Sequence, residues 1–138
     1  QEMKAVFADS NYWIAIVNTN DQWSEAAKAA RSLLGDIFIV TTGEVLTEFL
    51  TALSSIEHMR RQAAKMVRLI LENPNVKVIP QTRESFLKGL TFYETRSDKE
   101  YSLTDCISMN VMRTESLVKA LTNDHHFEQE GYTVLIKK

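Results

Sequence analysis

Four carboxylates stand where side chains from separate segments could meet. Asp9 directly follows the apolar run KAVFA at Lys4 to Ala8, Glu48 lies in VLTEFL, Asp105 in YSLTDCISMNVMR and Asp124 in LTNDHHF. Carboxylates held a few ångströms apart raise one another's pKa, and a divalent cation reverses the sign of that interaction. A set of oxygen ligands favours Mg²⁺ or Mn²⁺ over zinc. The chemistry such a set supports is metal-activated attack of water on a phosphodiester.

Each acid also has a plainer reading. Asp9 can serve as the N-cap of a following helix, since Asp is a favoured cap. Glu48 is four residues from Glu44 and shares its helix face; glutamates on such a face are mostly solvated. Its neighbours Thr47 and Phe49, however, suggest surroundings in which a carboxylate needs a partner or a metal. Ser102 and Asp105 have the spacing of a capping box. Asp124 suits a turn, and the Thr122 hydroxyl two residues earlier could hold a neighbouring carboxylate. His125 and His126, being adjacent, are expected to point apart and to lie near the cleft surface rather than share a metal. At this point both readings of each acid stand open.

The elements that would position these residues follow from hydrophobic period and end signals. Lys4–Ala8 and Ile37–Val40 are short apolar runs bounded by polar or turn residues, and read as buried strands; Val76–Ile79 reads as a third strand, and Ala120–Thr122 and Thr133–Ile136 add two more. Between them lie helical patterns. A short helix spans Asn11–Val17. A longer one, capped by Asn20 or Asp21, carries Trp23, Ala26, Ala27, Ala30, Leu33 and Leu34 and stops at Gly35. A third is capped by Thr41 or Thr42 and presents Val45, Leu46, Phe49, Leu50 and Leu53. Arg60–Leu71 presents Ala63, Ala64, Val67, Leu69 and Ile70. Thr82 caps the next, through Phe86, Leu87, Leu90 and Tyr93; Arg96–Glu100 reads as a loop, and Ser102 begins the last.

Strands alternating with helices predict one α/β domain with a mostly parallel central sheet of about five strands, flanked by helices. Ligands bind outside the carboxyl ends of strands in such sheets, where Asp9 and Asp124 stand. At 138 residues, 44% hydrophobic and 25% charged, the chain suits a single domain with a real core. Its net charge of −2 does not advertise nucleic-acid binding, although a local basic rim would suffice for phosphate contacts. No apolar run approaches a membrane span, and the start lacks a secretory layout, so a cytoplasmic location and no membrane partner are expected. Gln1 and Glu2 precede Met3 and read as an expression remnant, leaving 3–138 as the domain. The single Cys106 fits a reducing compartment. Neither G-x-S-x-G nor G-x-x-x-x-G-K-[ST] occurs, which removes a serine hydrolase and a P-loop NTPase. A receiver-like signalling domain would want an Asp after the third strand, where Pro80 and Gln81 stand.

FADSNYWIA, VTTGEVLTEFLTAL, YSLTDCISMNVMR and ALTNDHHFEQEGYTVL together resemble the PIN-domain family, in particular VapC-type ribonuclease toxins of prokaryotic toxin–antitoxin pairs. The likeness runs over essentially the whole chain in the family's order. It implies a metal-dependent endoribonuclease whose acids are Asp9, Glu48, Asp105 and Asp124, with T-T-x-x-V-L-x-E selecting Glu48 over Glu44. Asn11 and Thr122 match polar positions beside the site, and Asp98 matches one that would support it. The resemblance further implies Mg²⁺ or Mn²⁺, an RNA substrate cut in single-stranded or loop regions to leave a 3′-hydroxyl and a 5′-phosphate, a homodimer, and a cognate antitoxin that presents a basic residue to the acids. Arg96, Lys99 and Arg113, with Lys65 and Arg68 more remote, are the candidate phosphate contacts. A housekeeping PIN nuclease and a catalytically silent RNA- or protein-binding module are the alternatives; the presence of all four acids weighs against the silent one.

Overall fold

Every strand of the sheet runs parallel to its neighbours, which requires a crossover after each and puts helices on the faces. The structure, a computed structural model, describes residues 4–138; residues 1–3, and with them the expectation of a two-residue remnant, lie outside the described residues. In chain order the elements are β1 (Ala5–Ala8), α1 (Ser10–Val17), α2 (Ser24–Leu34), β2 (Phe38–Thr42), α3 (Gly43–Ala52), α4 (Glu57–Glu72), β3 (Val76–Ile79), α5 (Arg83–Thr95), α6 (Leu103–Thr114), β4 (Lys119–Leu121), α7 (His126–Gln129) and β5 (Thr133–Val134). The five strands are ordered β3-β2-β1-β4-β5.

That order decides where a site forms. From β1 the chain moves outward through β2 to β3, then returns to the other side of β1 for β4 and β5. The crevice at this reversal, beyond the carboxyl ends of β1 and β4, is where open parallel sheets bind ligands. Phe7 pairs with Ala120 and Ala8 with Leu121, and the Asp9 amide donates to the Leu121 carbonyl at 3.1 Å. The residues after the two strands therefore leave the sheet side by side.

β1 and β4 are buried through Val6, Phe7, Ala8, Ala120 and Leu121, and α6 packs Cys106, Ile107, Met109 and Met112 inward. Gly89 lets α5 approach α6: a Cβ there would lie 2.4 Å from Ile107 Cγ1. Gly35 ends α2 at φ 62°, a conformation glycine adopts without steric cost.

Several local readings are adjusted. Asp21 does not cap α2 directly; its Oδ1 accepts the Trp23 amide at 2.8 Å in the preceding turn. Thr42 caps α3, accepting the Val45 amide at 3.0 Å, and Thr41 instead donates to the Ala8 carbonyl at 2.9 Å. β5 is shorter than expected, but the Leu135 and Ile136 amides still donate to Ala120 and Thr122 carbonyls. Leu33 and Leu69, read as apolar-face residues, are 89% and 57% exposed. Each lies six residues beyond a buried alanine, Ala27 or Ala63, and six steps of about 100° place it about 120° around the helix from that face. Ala64 is exposed for the same reason of phase. No described helix is long and apolar enough to cross a membrane.

Candidate metal centre

Asp9 is delivered by β1 and caps α1: its Oδ1 accepts the Ser10 amide at 2.9 Å. Its Oδ2 accepts the Thr122 hydroxyl at 2.9 Å and the Asn11 side-chain amide at 3.2 Å. Asn11 also donates to Thr122 Oγ1 at 2.8 Å, and its Oδ1 accepts the Asn123 amide at 3.0 Å. The ends of β1 and β4 are thus laced together through Asn11 and Thr122.

Asp105 stands in the first turn of α6. The capping box with Ser102 is present in full: Ser102 Oγ accepts the Asp105 amide at 3.0 Å, and Asp105 Oδ2 accepts the Ser102 amide at 3.1 Å. Asp124 makes an Asx-type turn, its Oδ1 accepting the His126 amide at 2.9 Å while its own amide donates to Thr122 Oγ1 at 3.1 Å. The plain readings of Asp9, Asp105 and Asp124 all hold, and they do not compete with the other reading. A carboxylate has about four lone-pair directions, and capping uses one or two. One oxygen from each of these three acids lies within 4.8 Å of the others.

Glu48 itself is exposed, as is Thr47, although the adjoining Phe49 is buried, and it stands beside this trio. Its Oε1 accepts the Ser10 hydroxyl, and its charge acts on both Asp9 and Asp105. Glu44 turns the other way, its Oε2 accepting Ser85 Oγ at 3.0 Å. Asp98 does not join the acids; its side chain is exposed and lies 3.9 Å from Lys99 Nζ. Arg96 is engaged elsewhere, donating to both oxygens of Glu130 at 2.9 and 3.1 Å, where Tyr101 also donates at 2.8 Å. Arg113 lies 5.3 Å from the Phe92 ring and donates to Asn110 at 3.2 Å. Lys65, Arg68 and Lys99 are exposed.

Two participants escaped the sequence reading. Ser10 orients Glu48 by its hydroxyl and Asp9 by its amide. His126 Nδ1 is buried without a hydrogen-bond partner, 3.2 Å from Asp124 Oδ1 and 3.8 Å from Asp105 Oδ2. The two histidines do not point apart: their rings lie 4.6 Å centre to centre, because the turn into α7 is neither strand nor full helix. The D-x-H spacing of an Asx turn was the available signal.

The electrostatics follow from crowding acids in a buried crevice. Burial, then the charges of Asp105 and Glu48, push the Asp9 carboxyl up to about 7 against the opposing Ser10 and Thr122 hydrogen bonds. Burial chiefly, with Asp124 and Glu48, pushes Asp105 up to about 6, although the Ser102 amide and His126 pull it down. Near neutral pH Asp9 therefore resists ionisation, and Asp105 more weakly, unless a cation enters. Convergent carboxylate oxygens and an orphaned imidazole nitrogen suit a divalent ion. Cys106, adjoining Asp105, is buried and pushed up to about 11, which keeps it an inert thiol.

The sequence model of the family described as PIN domain matches residues 6–130. The chain is 27% identical over 128 residues, covering 92% of itself and 95% of the relative, to VapC20 of two Mycobacterium tuberculosis strains, named a 23S rRNA-specific endonuclease. The crystal structure of Mycobacterium tuberculosis VapC20, described as a Sarcin-Ricin loop cleaving toxin, matches at TM-score 0.83 and 24% identity, over 93% of this chain and 96% of that one. VapBC2 from Rickettsia felis, bound to a DNA fragment from their promoter, matches at TM-score 0.66 and 12% identity over 94% and 96%. FitAcB from Neisseria gonorrhoeae matches at 0.63 and 14% over the same shares, 94% and 96%. These structural likenesses speak to the fold, a parallel α/β domain of the same plan.

Proposed function

Because this chain belongs to the PIN domain family, we propose that it is an Mg²⁺- or Mn²⁺-dependent endoribonuclease, acting as the toxin of a type II toxin–antitoxin pair. The observation that carries the reading is the convergence of Asp9, Asp105 and Asp124 at the sheet reversal, with Glu48 beside them. In this reading the domain runs over 3–138, and the four acids hold the ion or ions. When bound, a divalent cation lowers the pKa of a water and neutralises charge on the attacked phosphate.

The chain's own groups prepare that chemistry. Asp9, held in place by Ser10, Asn11 and Thr122, would hold the cation as the ionised carboxylate. The capping box sets Asp105 at the start of α6, and Ser10 keeps Glu48 turned toward the acids. Of the candidate phosphate contacts, Lys99, Arg113, Lys65 and Arg68 are exposed and cationic, whereas Arg96 is committed to Glu130.

The similarity to a 23S rRNA-specific endonuclease supports an RNA substrate, and the resemblance to VapC-type toxins supports an antitoxin partner. A homodimer is supported by α5, where Phe86, Leu87, Leu90 and Tyr93 leave a large apolar surface exposed. A cytoplasmic location goes with this role. Purified protein is expected to cleave at least one member of a labelled panel containing the 23S sarcin–ricin loop, tRNA and other rRNA fragments. Cleavage should need Mg²⁺ or Mn²⁺ and vanish with EDTA or in Asp9→Asn. No cleavage across the panel refutes the nuclease; cleavage without growth arrest on expression refutes the toxin and leaves a housekeeping enzyme.

A further inference from the structure

The two groups of metal-capable side chains in the described residues share one member. Asp9, Asp105 and Asp124 form the first, and Asp124, His125 and His126 the second, each with ligand atoms mutually within 4.8 Å. Of the histidines, His125 is exposed, whereas His126 has its Nδ1 buried and unpartnered against two carboxylates. Two acceptor oxygens facing a ring nitrogen that makes no hydrogen bond to either leave a gap that a cation would fill. The spacing fits. Ligand atoms about 2.1 Å from an octahedral ion lie about 3.0 Å apart when adjacent and about 4.2 Å when opposite. The separations of Nδ1 from Asp124 Oδ1 and Asp105 Oδ2 are 3.2 and 3.8 Å.

The imidazole is also held in this orientation from behind. Its ring lies 5.4 Å from that of Tyr101, and Tyr101 is fixed by its hydroxyl on Glu130, which Arg96 clamps from the other side. The brace joins the α5–α6 connection to α7, so His126 is set by long-range packing and not only by its turn.

Resting on the metal-centre reading above, we propose that His126 Nδ1 is a direct ligand of the divalent ion, making the centre a mixed nitrogen–oxygen site. A neutral imidazole adds little for Mg²⁺, a hard ion that prefers oxygen, and progressively more along the series from Mn²⁺ to Co²⁺. His126 thereby sets which ion the centre prefers, while the carboxylates set that it binds one at all.

Calorimetric titration of the whole protein with Mg²⁺, Mn²⁺ and Co²⁺ tests this, alongside pulsed EPR of the Mn²⁺-loaded form. His126→Phe keeps an aromatic ring against Tyr101, His126→Gln keeps a polar group, and melting curves establish that each is folded. Loss of about tenfold or more in Co²⁺ and Mn²⁺ affinity, with Mg²⁺ changed less than about threefold, is expected for both variants. The wild-type Mn²⁺ signal should carry ¹⁴N coupling that disappears in both and persists in His125→Phe. Equal losses for all three ions would make His126 a positioning residue for Asp124 and overturn the proposal, as would ¹⁴N coupling that follows His125. Wild-type protein that binds none of the ions overturns the metal centre itself; ion binding with an unchanged preference overturns only the role of His126.

Discussion

Removing the charge of Asp9 should stabilise the metal-free protein at neutral pH and destabilise it slightly in acid. The carboxyl titrates at about 7 in the folded chain against 3.8 as its ordinary value. Between these two values the folded state keeps a proton that the unfolded chain has lost, so stability falls as pH rises. A shift of about three units at 1.36 kcal/mol each amounts to about 4 kcal/mol by pH 8. Asp105, raised from 3.8 to about 6, acts in the same sense over a lower window. The two are coupled through each other's charge, so their contributions do not simply add. Asp9→Asn abolishes the larger effect. Its Oδ1 can still accept the Ser10 amide, but its Nδ2 would meet the donors of Thr122 and Asn11, at a cost of about 1 kcal/mol. The stability curves of wild type and variant, measured by urea or heat in EDTA from pH 3.5 to 8, should therefore cross at about pH 4.5, where the wild type has lost about 1 kcal/mol. The variant should lead by about 3 kcal/mol at the alkaline end, or about 10 °C in a chain of this size. Mg²⁺ or Mn²⁺ at pH 7.5 should restore the wild type by about 2.7 kcal/mol at a hundredfold excess over Kd, and leave the variant nearly unmoved. Parallel curves, or equal rescue of the variant by metal, would refute the argument that burial and crowded charge at Asp9 are what the cation relieves.

Glu48→Gln should lower RNA cleavage by on the order of 100-fold, whereas Glu44→Gln, which alters only the contact with Ser85, should leave it within about twofold; initial rates on one cleaved RNA separate them. Thr122→Val keeps volume but removes the hydroxyl shared by Asp9, Asn11 and the Asp124 amide. It should cost about 1–3 kcal/mol in urea unfolding and weaken metal binding about 10–100-fold by calorimetry. Gly89→Ala, normally favourable in a helix, should here destabilise by about 1–3 kcal/mol, because the added Cβ would stand 2.4 Å from the buried Ile107 side chain; thermal unfolding reads the sign.

The sequence by itself determined what depends on neighbours a few residues apart. Short apolar runs closed by polar residues specified the strands, and the Thr82 and Ser102 caps and Gly35 marked helix ends, because capping is made within three or four residues. It also put Asp9 and Asp124 just past strand ends, since the strand, the turn and the acid are contiguous. Tertiary structure decided what depends on strand order. β4 beside β1 brings Thr122 to Asp9 across a separation of 113 residues, and the path of α3 turns Glu48, not Glu44, to Ser10 38 residues away. The same distance effect took Arg96 out of the set of free cations, since its partner Glu130 lies 34 residues on. It also made His126 a neighbour of Asp105, although adjacency to His125 had argued for the surface. Local chemistry could show that each acid had an ordinary occupation, but only the parallel order β3-β2-β1-β4-β5 decides that the same acids also share one crevice.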